Sequence, residues 1–172
     1  MKIFDNPWLI WLLIAVCISI GLIHRIAEGQ DKTALHLVQC IRAECDQCPH
    51  PLEPAAIAHV LRKHSARQGK SLDALMKRYC SVFRDDSARA KAIRGSTFDA
   101  PLHGDPEWWK LYEVFADEFL AGNIPDPLPS ADHFGGGMDT HRALRAGWVL
   151  VVHWSNWFWN VPPKGIKASE AK

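Results

Sequence analysis

Four cysteines and one glutamate mark the part of this sequence best equipped for chemistry. Cys40, Cys45 and Cys48 run C-x4-C-x2-C, and Cys80 follows after 31 further residues. Four thiolates so spaced suit an iron–sulfur cluster or a structural zinc, and Cys45-Asp-Gln-Cys48 has the form of a redox dithiol. The surroundings oppose all three. A cluster loop is glycine-rich and irregular, whereas Cys40 and Cys45 lie in or beside an amphipathic helical pattern. A thioredoxin-type motif follows a strand, and here a helix precedes it. Disulfides give the same cysteines a structural role: Cys40 or Cys48 joined to Cys80 would staple the first helix of the domain to the third. The reading expects no metal and no cofactor, and an oxidising compartment.

Glu44 stands between Cys40 and Cys45. It follows Ile41 by three residues and Leu37 by seven, which puts it at the edge of an apolar stripe near a helix C-terminus. Partial desolvation and the negative end of the helix dipole both disfavour the ionised form. A carboxyl that holds its proton near neutral pH is what a general acid at a glycosidic bond requires. The plainer alternative is a solvated Glu at a frayed end, paired with Arg42 or Lys63.

The elements that must position this acid can be read from periodicity. In "TALHLVQCIRAEC", Ala34, Leu37, Val38, Ile41 and Cys45 share one helical face, with Asp31 or Thr33 as cap and Pro49 and Pro51 beyond the end. A second helix, "EPAAIAHVLRKHSARQG", has Pro54 in its first turn, a stripe of Ile57, Val60, Leu61 and His64, and Gly69 as stop. Ser71 caps a third, with Leu72, Leu75, Met76 and Tyr79 inward. Asp85 or Asp86 opens a short fourth ending at Gly95. Asp105 and Pro106 open the longest, stopped by Gly122, with one of Trp108 and Trp109 packing inward. "NIPDPLPSADHFGGGMD" holds three prolines and three glycines and reads as a long functional loop. "RAGWVLVVHWSNWFWNVPP" reads as a β-hairpin around a polar Ser-Asn centre.

At the other end, Pro7 to Ile23 is an uncharged apolar run of seventeen residues, at the short end of a membrane span. Trp8 and Trp11 suit the interface on one side, and His24 and Arg25 close the other. The expected organisation is a transmembrane anchor over 1–25, a linker over 26–32, one domain over 33–163 and a disordered tail over 164–172. The expected fold class is mainly α (α+β). Lys and Arg number 20 against 19 Asp and Glu, so no basic stripe argues for nucleic acid. The flanking charges lean weakly toward a cytoplasmic C-terminal domain, and the disulfide reading points the other way.

The stretch "IRAECDQCPHPLEPAAIAHVLRKHSARQGKSLDALMKRYCSVF" resembles the start of the cell wall hydrolase family typified by spore cortex-lytic enzymes, with related phage muralytic domains. In that family a helix ends in the catalytic Glu, an A-I-A-x-V-L helix follows, and then a short aromatic-polar motif. Glu44, "AAIAHVL" and "YCSVF" fall on these positions. Further on, "FADEFLAGNIPDPLPSADHFGG" resembles the family's D-P-T-G-G-A-T-H-F stretch, through Asp126, Pro127, His133 and Phe134. The resemblance implies a lysozyme-like domain that cleaves the glycan strand of peptidoglycan between N-acetylmuramate and N-acetylglucosamine. It implies a single Glu as acid and then base, with the muramate 6-hydroxyl closing a 1,6-anhydro ring. Tyr79 and Ser81 are candidates to bond the N-acetyl group or Glu44, and His133 to orient a sugar. Trp157, alternating with Trp159, is a candidate to stack on a sugar face. Asp126 and Asp132 are the residues to examine for a two-carboxylate mechanism. The expected location is the periplasm or cell-wall space, or a phage particle. Two rivals remain: a membrane-anchored, non-catalytic wall-binding scaffold, and a cysteine-based metal or redox protein.

Overall fold

The computed structural model describes residues 29, 31–45, 50–102, 106–135 and 140–161. The apolar run Pro7–Ile23, Cys48, Asp105 and the tail 164–172 lie outside the described residues. Among those described, no helix is long and apolar enough to cross a membrane.

The chain divides into Met1–Thr33 and Ala34–Lys172. In the first unit the described residues are helical, and the Thr33 hydroxyl donates to the Gly29 carbonyl at 2.9 Å. Thr33 therefore bonds back along a helix already under way and does not cap it, and residues 31–32, read as linker, are helical.

The second unit is mainly helical with one small sheet. Helix α1 (31–44) presents the predicted face to the interior: Ala34, Leu37, Val38, Ile41 and Cys45 are all buried. Helix α2 (Glu53–Gln68) has Pro54 in its first turn, where a missing N–H is harmless. It ends at Gly69 with φ 59°, a left-handed position that costs glycine little. Helices α3 (Leu72–Tyr79), α4 (Ser81–Arg84) and α5 (Ala88–Gly95) follow in quick succession. The Ser71 and Ser87 side chains cap α3 and α5 by accepting from Ala74 and Ala90 N–H. The fourth predicted helix is α5, opened by Ser87 in place of Asp85 or Asp86, and α4 precedes it as a short helix that the periodicity does not mark. Helix α6 (Pro106–Ala121) buries Trp109, Tyr112, Ala116 and Phe119, one stripe at helical spacing, and leaves Trp108 at the edge.

The predicted hairpin is present as β2 (Val149–His153) and β3 (Trp157–Asn160), preceded by α7 (Thr140–Arg145). It is not alone. His133–Gly135 forms a strand, β1, so part of the stretch read as loop joins the sheet. The order is β1-β3-β2, with β1 and β2 both antiparallel to β3, and His133 lies opposite Trp159. Consecutive strand residues face opposite sides. Phe158 and Trp159 are both buried, so both faces of β3 are covered at that point.

Two sets of contacts set the relation of the helices around α1. Cys40 and Cys80 form a disulfide with Cα atoms 5.8 Å apart, which staples α1 to the α3–α4 junction. Cys45 is also disulfide-bonded. Asp73 of α3 accepts hydrogen bonds from His36 of α1 and from Lys77, the latter at 2.9 Å. Partial burial pushes the Asp73 carboxyl up, but the bonds from Lys77 and His36 and the attraction of their charges outweigh it, and it lies below its ordinary value. A carboxyl depressed in the folded state contributes stability above its unfolded value, about 3.9, and loses it as pH falls through the folded value. Asp73→Asn is therefore expected to flatten the loss of stability below about pH 4, read as a smaller shift of the denaturation midpoint between pH 5 and pH 3.

Candidate active site

Glu44 is the last helical residue of α1, and its side chain is half-buried. Its Oε1 accepts from the Ser81 backbone N–H and from the Ser81 hydroxyl, both at 2.8 Å. Both bonds fall on one oxygen. Ser81 can reach Glu44 because Cys80, its neighbour, is tied to Cys40, one turn before Glu44 on α1. Arg42 lies over the Trp108 ring, and Lys63 is turned to a distant loop.

The Glu44 carboxylate opens on a groove of about 320 Å³, within the range of roughly 300–1,000 Å³ common for ligand sites. Helix α2 supplies Val60, Leu61 and His64, the α3 end supplies Tyr79, α4 supplies Ser81 and Arg84, and β1 supplies His133, Phe134 and Gly135. Rings line one wall in sequence, Tyr79 against His64 at 5.9 Å and His64 beside His133 at 6.2 Å, and behind them His133 is edge-on to Trp148 at 4.7 Å. Such a surface, apolar with a few polar edges, suits a sugar ring with its faces and hydroxyls.

Of the residues singled out in the sequence, Glu44, Tyr79, Ser81, His133 and Phe134 converge here. Tyr79 does not point inward as its helical spacing suggests. Helix α3 ends on it, the chain turns at the tethered Cys80, and the ring is left 40% exposed at the groove, where its hydroxyl accepts from Gln68 at 3.1 Å. Asp126 and Trp157 are not in the groove lining. Asp126 pairs with Lys63 at 2.7 Å, and Asp132 with Arg67 at 2.9 Å, both as anchors of the 122–132 loop. Trp157 stacks between His153 and Trp159, with ring centres 4.0 and 5.9 Å away. Glu44 is the one carboxylate among the described residues lining the groove.

That loop is held by the polar face of α2. His59 donates to the Ile124 carbonyl at 3.0 Å, His64 to that of Asp132 at 2.5 Å, and Lys63 to those of Leu128, Pro129 and Ala131 at 2.7–3.0 Å. The Arg62 guanidinium lies over Phe119 at 3.7 Å and donates to its carbonyl; burial pushes its pKa down. Arg84 is a groove residue that spacing did not mark, since it reads as an ordinary polar position, and His64, read as part of the α2 stripe, lines the groove as well.

Glu53 was also missed. It is fully buried at the start of α2. Its Oε1 accepts from the Ser155 hydroxyl at 2.5 Å, from the Asn156 N–H at 2.7 Å and from Asn156 Nδ2 at 3.0 Å, while Oε2 accepts from the Ser155 N–H at 3.3 Å. The polar turn of the hairpin is therefore built onto this carboxylate. Burial, then the Glu53 charge, push the Tyr112 phenol above its usual value.

No protein-family model matches this chain, and no curated protein and no solved structure matches it either.

Proposed function

We propose that this chain is a membrane-anchored, lysozyme-like enzyme that cleaves peptidoglycan glycan strands, with Glu44 as its general acid and base. The observation that carries the reading is a half-buried carboxylate held by Ser81 at the wall of a ring-lined groove, with Tyr79 and His133 beside it. The disulfide supports a site outside the reducing cytoplasm, and the apolar run over Pro7–Ile23 supplies the anchor.

The reaction needs no second carboxylate. Glu44 gives its proton to the oxygen between N-acetylmuramate and N-acetylglucosamine as that C–O bond breaks. The muramate 6-hydroxyl then attacks its own anomeric carbon and returns a proton to Glu44, closing the 1,6-anhydro ring. With Asp126 and Asp132 engaged by Lys63 and Arg67, this route is favoured over attack by water from a second acid. Arg84, His64 and His133 line the groove where substrate carboxylates and hydroxyls would lie.

Digestion of purified sacculi by the full chain in mild detergent, with mass analysis of the fragments, tests the proposal. Anhydro-muramate ends are expected. Reducing ends would replace the intramolecular step with hydrolysis, and an absence of fragments would remove the enzymatic reading.

A further inference from the structure

The buried Glu53 does more than close a hairpin. Its four hydrogen-bond donors are all neutral, an expensive arrangement that an apolar side chain would avoid. The start of a 16-residue helix offsets part of that cost, because its dipole favours an anion there. What the carboxylate achieves is the orientation of Asn156, itself 5% exposed. The Asn156 amide has two donor hydrogens. Nδ2 donates to Glu53 Oε1 at 3.0 Å and to the backbone carbonyl of Glu44 at 2.9 Å. That carbonyl lies in the last turn of α1, where no intrahelical N–H is available to it.

We infer that Glu53 and Asn156 are positioning residues for Glu44, an inference that rests on the catalytic reading above. Ser81 holds the side chain of the acid, and Asn156 holds its backbone from behind, locked in one rotamer by Glu53. The two contacts come from residues 37 and 112 positions away along the chain, and together they define where the proton is delivered. A looser helix end would still bind the glycan, through the ring-lined wall, and would misplace the acid.

The test uses the full chain and four variants, each checked by thermal melting for a folded state. Asn156→Ala is expected to lower kcat on sacculi by roughly 10²-fold, the scale of a misplaced catalytic group, with sacculus binding unchanged within about two-fold. Glu53→Ala should match it, and the double variant should be no worse than either, because both act through one chain of bonds. Glu53→Gln keeps an Oε1 that accepts three of the four bonds and should retain activity within about three-fold of the parent. Hydrogen exchange at the Ser81 amide, which donates to Glu44, should quicken in Asn156→Ala and not in Glu53→Gln.

A folded Asn156→Ala with parental kcat and parental Ser81 exchange overturns the inference. So does a loss of kcat accompanied by an equal loss of binding, which marks a general structural role. If the parent itself releases no fragments, the catalytic reading falls. The Ser81 exchange then still decides whether Asn156 holds Glu44: faster exchange in Asn156→Ala supports the tether, and unchanged exchange removes it.

Discussion

Glu44→Gln is expected to end fragment release from sacculi while leaving the protein folded and able to bind them. The amide is nearly isosteric with the carboxyl, and its carbonyl oxygen can accept both Ser81 bonds that Oε1 accepts now. What it lacks is a proton that can move to a glycosidic oxygen and return. General acid–base catalysis contributes typically about 10²–10⁴-fold, and with no second carboxylate among the described groove residues nothing nearby takes over. The measurement is muropeptide yield against time at matched protein concentration, beside a sedimentation assay of sacculus binding. A variant that cleaves at the parental rate would show that the acid lies elsewhere. Equal, undetectable cleavage by parent and variant with intact binding would favour a wall-binding scaffold.

Replacing Cys40 and Cys80 together by alanine should cost about 4 kcal/mol of stability, from the entropy that a cross-link across 40 residues removes from the unfolded chain. Small domains hold roughly 5–15 kcal/mol in total, so a large share of the stability rests on this bond. Both sulfurs are buried in the core, and their loss also leaves space that neighbours must fill. Activity should fall further than stability alone explains, because Ser81 follows Cys80 directly and loses its fixed distance to Glu44. Denaturant midpoints of parent and double variant, both without reductant so that the Cys45 disulfide stays intact, measure the cost. A difference under about 1 kcal/mol would mean that packing of α1 against α3 and α4 suffices without the bond.

These two expectations draw on different kinds of information. The position of Glu44 was legible in the chain: the stripe Ala34, Leu37, Val38, Ile41, Cys45 names the buried face, and Glu44 falls at its edge near the helix end. The helix ends were legible too, the stops in Gly69 and Gly122 and the start of α3 in the capping Ser71. Gly122 takes φ 87°, and the following N–H of Asn123 reaches back to the Glu118 carbonyl at 2.9 Å, a helix stop that favours glycine. The sequence allowed either Cys40 or Cys48 as partner of Cys80, and the fold chose Cys40.

Other features could not be read so early. Strand β1 exists only because β3, 24 residues later, offers it a ladder, and three residues around His133 carry no strand pattern of their own. Lys63 and Asp126 meet across 63 residues of chain, which turns a candidate catalytic carboxylate into a loop anchor. Tyr79 was assigned inward by its spacing and turned outward by the chain reversal at Cys80.

What the residues determined unaided was therefore what one helical turn can encode: which faces are apolar, where helices stop, and which carboxyl sits half-covered at an end. Tertiary structure alone decided what surrounds that carboxyl: Ser81 bonds it from 37 positions away, Asn156 bonds its backbone carbonyl from 112, and His133, 89 positions on, lines the same groove. Contacts at such separations depend on how the elements pack against one another, and no local period of the sequence records that.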